Sequence, residues 1–289
     1  MPRVVVVMPA FNEEKFIGKS LGSIISQSVR PYLVIVCDNG STDNTPSIAR
    51  KVLSKSGIDY SIVNVRRHPE FGKFNINVVY HRCALESLRE VSDFVATIEA
   101  DTILKHDYFE KVIRALNNDE GLGIASGRII AFSGYEIVVD SFPLPGSYVG
   151  LPGSARVYRY GCWRELNTKF GMLRLPAWDT DHVALAVALG WRVAKIHDAI
   201  AYTRPDRPFR GFYRGVVDAM HGLPYWWATY KAFTKRDPNY LIGYLKCRLT
   251  NCGNHVPPIL KALYGESAKN VFLKILSLPP KMLFRLNNA

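Results

Sequence analysis

Three short apolar runs, each breaking directly into acids or amides, constrain this chain more than any other feature. Val4 to Met8 breaks at Pro9 into PAFNEE, Leu33 to Val36 leads into Asp38, Asn39 and Asp43, and Phe94 to Ile98 ends in Glu99 and Asp101. The runs are continuous and rich in β-branched residues rather than alternating, which is how strands covered on both faces read. Between the first two, Glu14 to Ser28 gathers Phe16, Ile17, Leu21, Ile24 and Ile25 on one face, the pattern of an amphipathic crossover helix. Thr45 to Ser54 comes next as a helix, with Pro46 suited to its first turn. The order β-α-β-α-β predicts an α/β fold with a mostly parallel, doubly wound sheet. Such sheets bind ligands beyond the carboxyl ends of their strands, where the acids and amides fall.

Further along, Ser61 to Val65 reads as a strand, Asn77 to Glu90 and Tyr108 to Leu116 as helices, and Gly123 to Phe132 as a strand. Ser141 to Gly153 holds three Pro and three Gly, so it is a loop, either an acceptor loop or lid or an ordinary connection. Asp179 to Leu189 reads as a helix with acids at its start.

The three strand ends, together with two later motifs, resemble the family-2 glycosyltransferases of the GT-A fold, which transfer sugars from nucleotide diphosphates. The resemblance runs over roughly residues 3 to 192. It comprises, in family order, Pro9-Ala10-Phe11-Asn12-Glu13, then Asp38 to Asp43, then Gly72-Lys73 with Asn77, then Glu99-Ala100-Asp101, and finally WDTD ahead of Gly190-Trp191. It implies a GT-A domain over residues 1–203, with a nucleotide-sugar half at 1–110 and an acceptor and catalytic-base half at 111–203.

The resemblance also implies roles. Pro9, Ala10, Phe11 and Glu13 with Asp38 are expected to line the nucleoside pocket. Asn39 replaces a second Asp of many relatives, and because an amide donates as well as accepts, the nucleobase stays open. Lys73 matches a Gly-Lys position near the nucleotide, where a compact ammonium suits phosphate, although a surface lysine is the plain alternative. Asp101 is expected to hold a divalent ion, with Glu99 directed to the ribose or to the ion. Hard oxygen ligands suit Mg²⁺ or Mn²⁺. Asp179 falls at the catalytic-base position, with a helix N-cap as the alternative. Trp178 either stacks on an acceptor sugar or desolvates Asp179, Asp181 is either an acceptor contact or a helix-start residue, and Trp163 is a further acceptor candidate. AYTRPDR lacks the His that relatives often carry there, which leaves His197 and His221 as weak candidates for assisting the metal.

Charge is uneven along the chain. Residues 204–289 carry 14 Lys or Arg against 4 Asp or Glu, so +10 of the chain's +12 lies there, in an expected basic, mainly helical C-terminal extension. Arg204, Arg207, Arg210 and Arg214 recur at three- or four-residue spacing, suited to a diphosphate, a lipid phosphate or anionic headgroups. VFLKILSLPPKMLFRL reads either as an interfacial segment on a membrane or as a segment docked on its own domain.

The favoured expectation is a metal-dependent inverting glycosyltransferase of the hexosyltransferase type, acting on a glycan or lipid-linked acceptor. Two alternatives stay open: a nucleic-acid-binding protein that uses the basic tail, and a sugar nucleotidyltransferase, although PAFNEE is no glycine-rich phosphate loop. No nucleic-acid partner is expected for the favoured reading. The five cysteines include no C-x-x-C pair, so neither a disulfide framework nor a zinc site is expected. A cytoplasmic setting, peripheral on the membrane face, is the matching expectation. The five-residue first apolar run is too short for a secretory signal, and no uncharged apolar stretch nears 18 residues.

Overall fold

The computed structural model describes residues 2–67, 75–136, 151–171, 175, 177–204, 211–254 and 256–277, with side chains at 75–76, 267 and 270–277 left undescribed. Lys73, Arg207, Arg210, most of the Ser141 to Gly153 loop and the segment beyond Ser277 fall outside these residues. The chain divides into two compact units, one of Met1–Asp140 with Val149–Pro205, the other of Ser141–Tyr148 with Asp206–Ala289.

The first unit is an α/β layer structure. Its elements are β1 (Val4–Ala10), α1 (Ile17–Ile25), β2 (Leu33–Asp38), α2 (Thr45–Leu53), β3 (Asp59–Asn64), α3 (Asn75–Ser87), β4 (Phe94–Ile98), β5 (Ile103–Leu104), α4 (Tyr108–Asn118), β6 (Leu122–Ala131), β7 (Ala155–Arg159), α5 (Tyr160–Lys169), α6 (Trp178–Ala188) and β8 (Arg192–Thr203). The strands form one sheet in the order β3-β2-β1-β4-β7-β6-β8-β5. β3, β2, β1 and β4 run parallel, as does the β6–β8 pair, while β7 is antiparallel to both β4 and β6 and β5 is antiparallel to β8.

Position in the sheet explains the sequence pattern. β1 is buried at all seven positions because strands and helices cover it on every side, whereas β3, at the edge, alternates exposed and half-buried residues. Ile17, Leu21 and Ile24 of α1 join the core beneath β1 and β4. Where β6 meets β8 the register shifts after Gly127, and a Cβ there would lie 2.2 Å from the carbonyl of Ala199, so only glycine fits. The Tyr108 hydroxyl fixes this junction, donating to Ala155 O at 2.8 Å and accepting from the Gly127 N–H at 2.7 Å.

The second unit is helical over its described residues: α7 (Gly211–Met220), α8 (Tyr225–Thr234), α9 (Pro238–Leu249) and α10 (Pro258–Ser277). α7 and α9 touch through backbone, since a Cβ on Gly215 would meet Tyr240 O at 1.9 Å and one on Gly243 would meet Phe212 O at 1.9 Å. Asp218 accepts from the Trp227 indole at 2.9 Å and from the Tyr240 hydroxyl, and Asp237 caps α9 through the Asn239 N–H. Among the described residues no helix is long and apolar enough to cross a membrane.

The cysteines depart from the sequence expectation. Cys37 of β2 and Cys83 of α3 form a disulfide with Cα atoms 5.9 Å apart, Cys247 and Cys252 form another, and Cys162 is free and buried. Spacing along the chain carries no information about pairs made by tertiary proximity. The cytoplasmic expectation therefore loses the support it drew from cysteine usage.

Candidate active site

β1 and β2 end in register, with Ala10 opposite Asp38, and the Asn39 N–H donates to Ala10 O at 2.8 Å. The two loops beyond these strands are knitted together. Asn12, in the left-handed region at φ 53°, donates its N–H to Ser41 Oγ and accepts the Thr42 N–H on Oδ1, while the Glu13 N–H donates to Thr45 Oγ1 at 2.7 Å. Asp43 is the staple, accepting from the Glu14 and Thr45 N–H groups and from the Thr45 hydroxyl. Burial pushes its carboxyl up, but these hydrogen bonds outweigh that and hold it below the usual range.

This knitting presents Asp38 and Asn39 at the floor of the strand ends. Asp38 is 4% exposed and accepts the Ser41 N–H at 3.2 Å, and Asn39 is 6% exposed with an Oδ1 that has no hydrogen-bond partner. A buried amide oxygen left without a donor is costly, so a ligand hydroxyl or N–H at this point would be welcome. Pro9 and Ala10 are buried at the end of β1, and half-buried Phe11 carries the Arg67 guanidinium 3.9 Å over its ring.

At the end of β4, Asp101 is buried and Glu99 half-buried. Arg204, directly after β8, reaches both halves of the site: its Nε lies 2.5 Å from Asp101 Oδ2, and another of its nitrogens pairs with Glu13. Thr203 Oγ1 donates to the other Asp101 oxygen at 3.4 Å, and the guanidinium sits 5.5 Å from the Phe16 ring centroid, itself stacked on Phe132. Among the described residues no three His, Cys, Asp or Glu side chains are gathered as a complete metal cage. A magnesium-type ion takes only one or two carboxylates plus phosphate oxygens, however, and a cation already lies against Asp101. The donor set therefore fits a divalent ion that arrives with a diphosphate.

The base position is built differently. Asp179 lies in the first turn of α6, partly buried, with Gly153 so close that a Cβ there would sit 3.1 Å from Oδ2. Arg156 of β7 is 1% exposed and donates to the carbonyls of Leu151, Pro152 and Asp179, binding that strand segment to the helix start. Burial raises the Asp179 pKa; the Arg156 charge opposes the shift and the Asp181 charge adds to it.

The acceptor candidates are enclosed. Trp163 is fully buried, donating its indole N–H to Ser87 Oγ at 2.9 Å and packing edge-on against Tyr158. Asp181 is also fully buried and accepts the Ala177 N–H at 2.9 Å, closing the first turn of α6. Trp178 is 6% exposed with its ring against Tyr80. Trp178 directly precedes Asp179 at the start of α6. Sequence reasoning missed Arg156, because arginine on a strand reads as exposed, and read Arg204 as part of a tail although it ends a strand as the other site residues do. His221 stacks on Tyr264 in the helical unit, and His197 lies exposed on β8.

Residues 5–138 match the family model described as Glycosyl transferase family 2. The 4,4'-diaponeurosporenoate glycosyltransferase of Staphylococcus aureus is 35% identical over 120 residues, covering 40% of this chain and 29% of the relative's length. Among solved structures, the mannosyltransferase PcManGT from Pyrobaculum calidifontis, in complex with GDP-Man and Mn²⁺, is similar at a TM-score of 0.56 and 18% identity, covering 98% of this chain and 79% of that one. Residues 1–349 of S. aureus TarS in complex with UDP-GlcNAc are similar at a TM-score of 0.58 and 14% identity, covering 95% of this chain and 91% of that one. Residues 5–138 are thus similar to glycosyltransferase family 2, and the chain shares the GT-A fold of these solved structures.

Proposed function

We propose that the chain transfers a sugar, with inversion, from a nucleotide-diphospho-sugar to a hydroxyl or phosphate of a glycan or lipid-linked acceptor. The observation that carries this reading is the bridge from Glu13 through Arg204 to Asp101, which joins the loops beyond two parallel strands through one positive charge. Pro9, Ala10 and Phe11 would form the apolar side of a nucleoside pocket. Asp38 and the unpartnered Asn39 Oδ1 would accept from the base or ribose. Lys73 is retained as a donor contact on sequence grounds.

Asp101, with Glu99 nearby, would hold Mg²⁺ or Mn²⁺, which when bound supplies Lewis-acid stabilisation of the departing diphosphate. Asp179 accepts the proton of the acceptor hydroxyl. That oxygen then attacks the anomeric carbon on the face opposite the diphosphate, which leaves with the bonding electron pair. A raised pKa suits Asp179 to this work, since a base is most effective with its pKa near the working pH.

The helical unit would bring the enzyme to an anionic membrane. Ile242, Leu245 and Leu249 of α9 share a face by their spacing and are 55%, 40% and 84% exposed, with Lys246 and Arg248 on the same helix. This surface, rather than the segment beyond Ser277, is the described support for that contact.

Screening UDP- and GDP-sugars for Mn²⁺-dependent release of nucleoside diphosphate tests the reading. Release from at least one donor, lost in Asp179→Asn when acceptor is present, is expected. Failure to bind either UDP or GDP in calorimetry would overturn it.

A further inference from the structure

Arg204 stands between two carboxylates that the proposed function assigns to the donor and to the metal, and it pairs with both. Its guanidinium remains charged at any working pH, and its planar fork can serve two acceptors at once. It is also the partly accessible member of the group: its side chain is 34% exposed, against 13% for Glu13 and 10% for Asp101. The acids follow the ends of β1 and β4, while the arginine is the last described residue before position 211. If any member of this triad is to move, Arg204 is the one least enclosed.

We propose that Arg204 is an exchangeable cation of the donor site. Without nucleotide it neutralises Glu13 and Asp101; when a nucleoside diphosphate enters, it transfers to the diphosphate oxygens and leaves Asp101 Oδ2 open to the divalent ion. The inference rests on the assignment of Asp101 to the metal. Its physical basis is competition. A guanidinium 2.5 Å from Asp101 Oδ2 repels a divalent ion on the same carboxylate and draws on the same negative charge, and a diphosphate is the stronger partner for a guanidinium because it offers more charge and more acceptors. Metal alone must displace the arginine from Asp101 and leave it Glu13 alone, whereas metal with nucleotide offers it a replacement. Mn²⁺ and nucleotide should therefore bind cooperatively, and by linkage each should raise the affinity of the other by the same factor.

The test is a titration of Mn²⁺ into the full chain, monitored by the electron paramagnetic resonance signal of the free ion, with and without UDP or GDP. In Arg204→Gln, Mn²⁺ alone should bind roughly two- to fivefold more tightly than in the wild type, the scale on which loss of a competing ion pair acts. Its cooperativity with nucleotide should shrink correspondingly, and nucleotide affinity should fall. Arg204→Lys, which keeps the charge but not the fork, should lie between the two and serves if the glutamine variant lacks a cooperative unfolding transition. Wild-type affinity for Mn²⁺ alone in these variants overturns the exchange. Asp101→Ala separates that failure from a failure of the underlying assignment. If it binds Mn²⁺ with nucleotide as the wild type does, the metal is not at Asp101; if it loses Mn²⁺ while Arg204→Gln matches the wild type, only the exchange falls.

Discussion

The buried guanidinium of Arg156 donates to the main-chain carbonyl of Asp179, so a strand residue holds the first turn of α6 in place. This bond fixes the carboxylate's backbone without consuming its oxygens, of which Oδ1 accepts the Thr180 hydroxyl at 3.5 Å. Asp179→Asn should lower turnover by about 10²- to 10⁴-fold, the usual contribution of a placed proton acceptor, with donor affinity unchanged. Steady-state rates alongside calorimetric nucleotide binding check both parts. An active Asp179→Asn would move the base elsewhere.

The pH profile carries a sign. Asp179 works as a base only when ionised, and its pKa lies above the ordinary aspartate value because burial outweighs the charge of Arg156. The acid limb of kcat/KM should therefore fall at a higher pH than a free aspartate would give. Arg156→Gln removes an influence that lowers the pKa, so the limb should move further up in pH, and Arg156→Lys should move it less. A variant that loses rate equally at every pH would show that Arg156 acts only on packing.

His182 should make stability fall in acid. It is fully buried among Tyr158, Trp163 and Trp178, with both ring nitrogens lacking hydrogen-bond partners, and burial followed by the Arg156 charge depresses its pKa from 6.5 to about 3. Between these values the unfolded chain binds a proton that the folded chain does not, so stability declines as pH drops from 6.5 towards 3, by up to about 1.4 kcal/mol per pH unit. His182→Phe should flatten this part of the curve. Urea unfolding at pH 7, 6, 5 and 4 measures the slope, and an unchanged slope would assign the acid sensitivity to other groups.

The exposed stripe of α9 should matter for vesicles and not for folding. Ile242→Glu with Leu249→Glu should weaken pelleting with acidic liposomes, since each change removes apolar contact and adds repulsion. At exposed positions the cost in stability should stay within about 0.5 kcal/mol each. Wild-type binding should also release at high salt. Equal retention on neutral and acidic vesicles would contradict the electrostatic part.

The sequence made the sheet legible wherever burial was two-sided: β1, β2 and β4 show as unbroken apolar runs, and the residues that follow them are those of the candidate site. It was less informative where a residue's role depends on distant partners. β7 slips between β4 and β6 and turns part of the sheet antiparallel, an insertion no local pattern announces. Arg156 breaks the rule that arginine lies outside, because three carbonyls supply what water would have given it. Trp163 and Trp178 look like sugar platforms by composition, yet packing enclosed them. Cys37 and Cys83 are 46 residues apart, and only the docking of α3 beside β2 brings them together.

The Glu13 to Arg204 pair spans 191 positions of chain. During synthesis, β1, β2 and β3 have emerged long before the strand that delivers Arg204, so the strand ends that carry Asp38 and Asn39 can form before the arginine arrives. A contact at such sequence separation is expected to close late in folding. Nucleotide affinity in a refolding chain should therefore appear after the bulk of the β signal, which makes ligand capture a clock for completion of the sheet's far side.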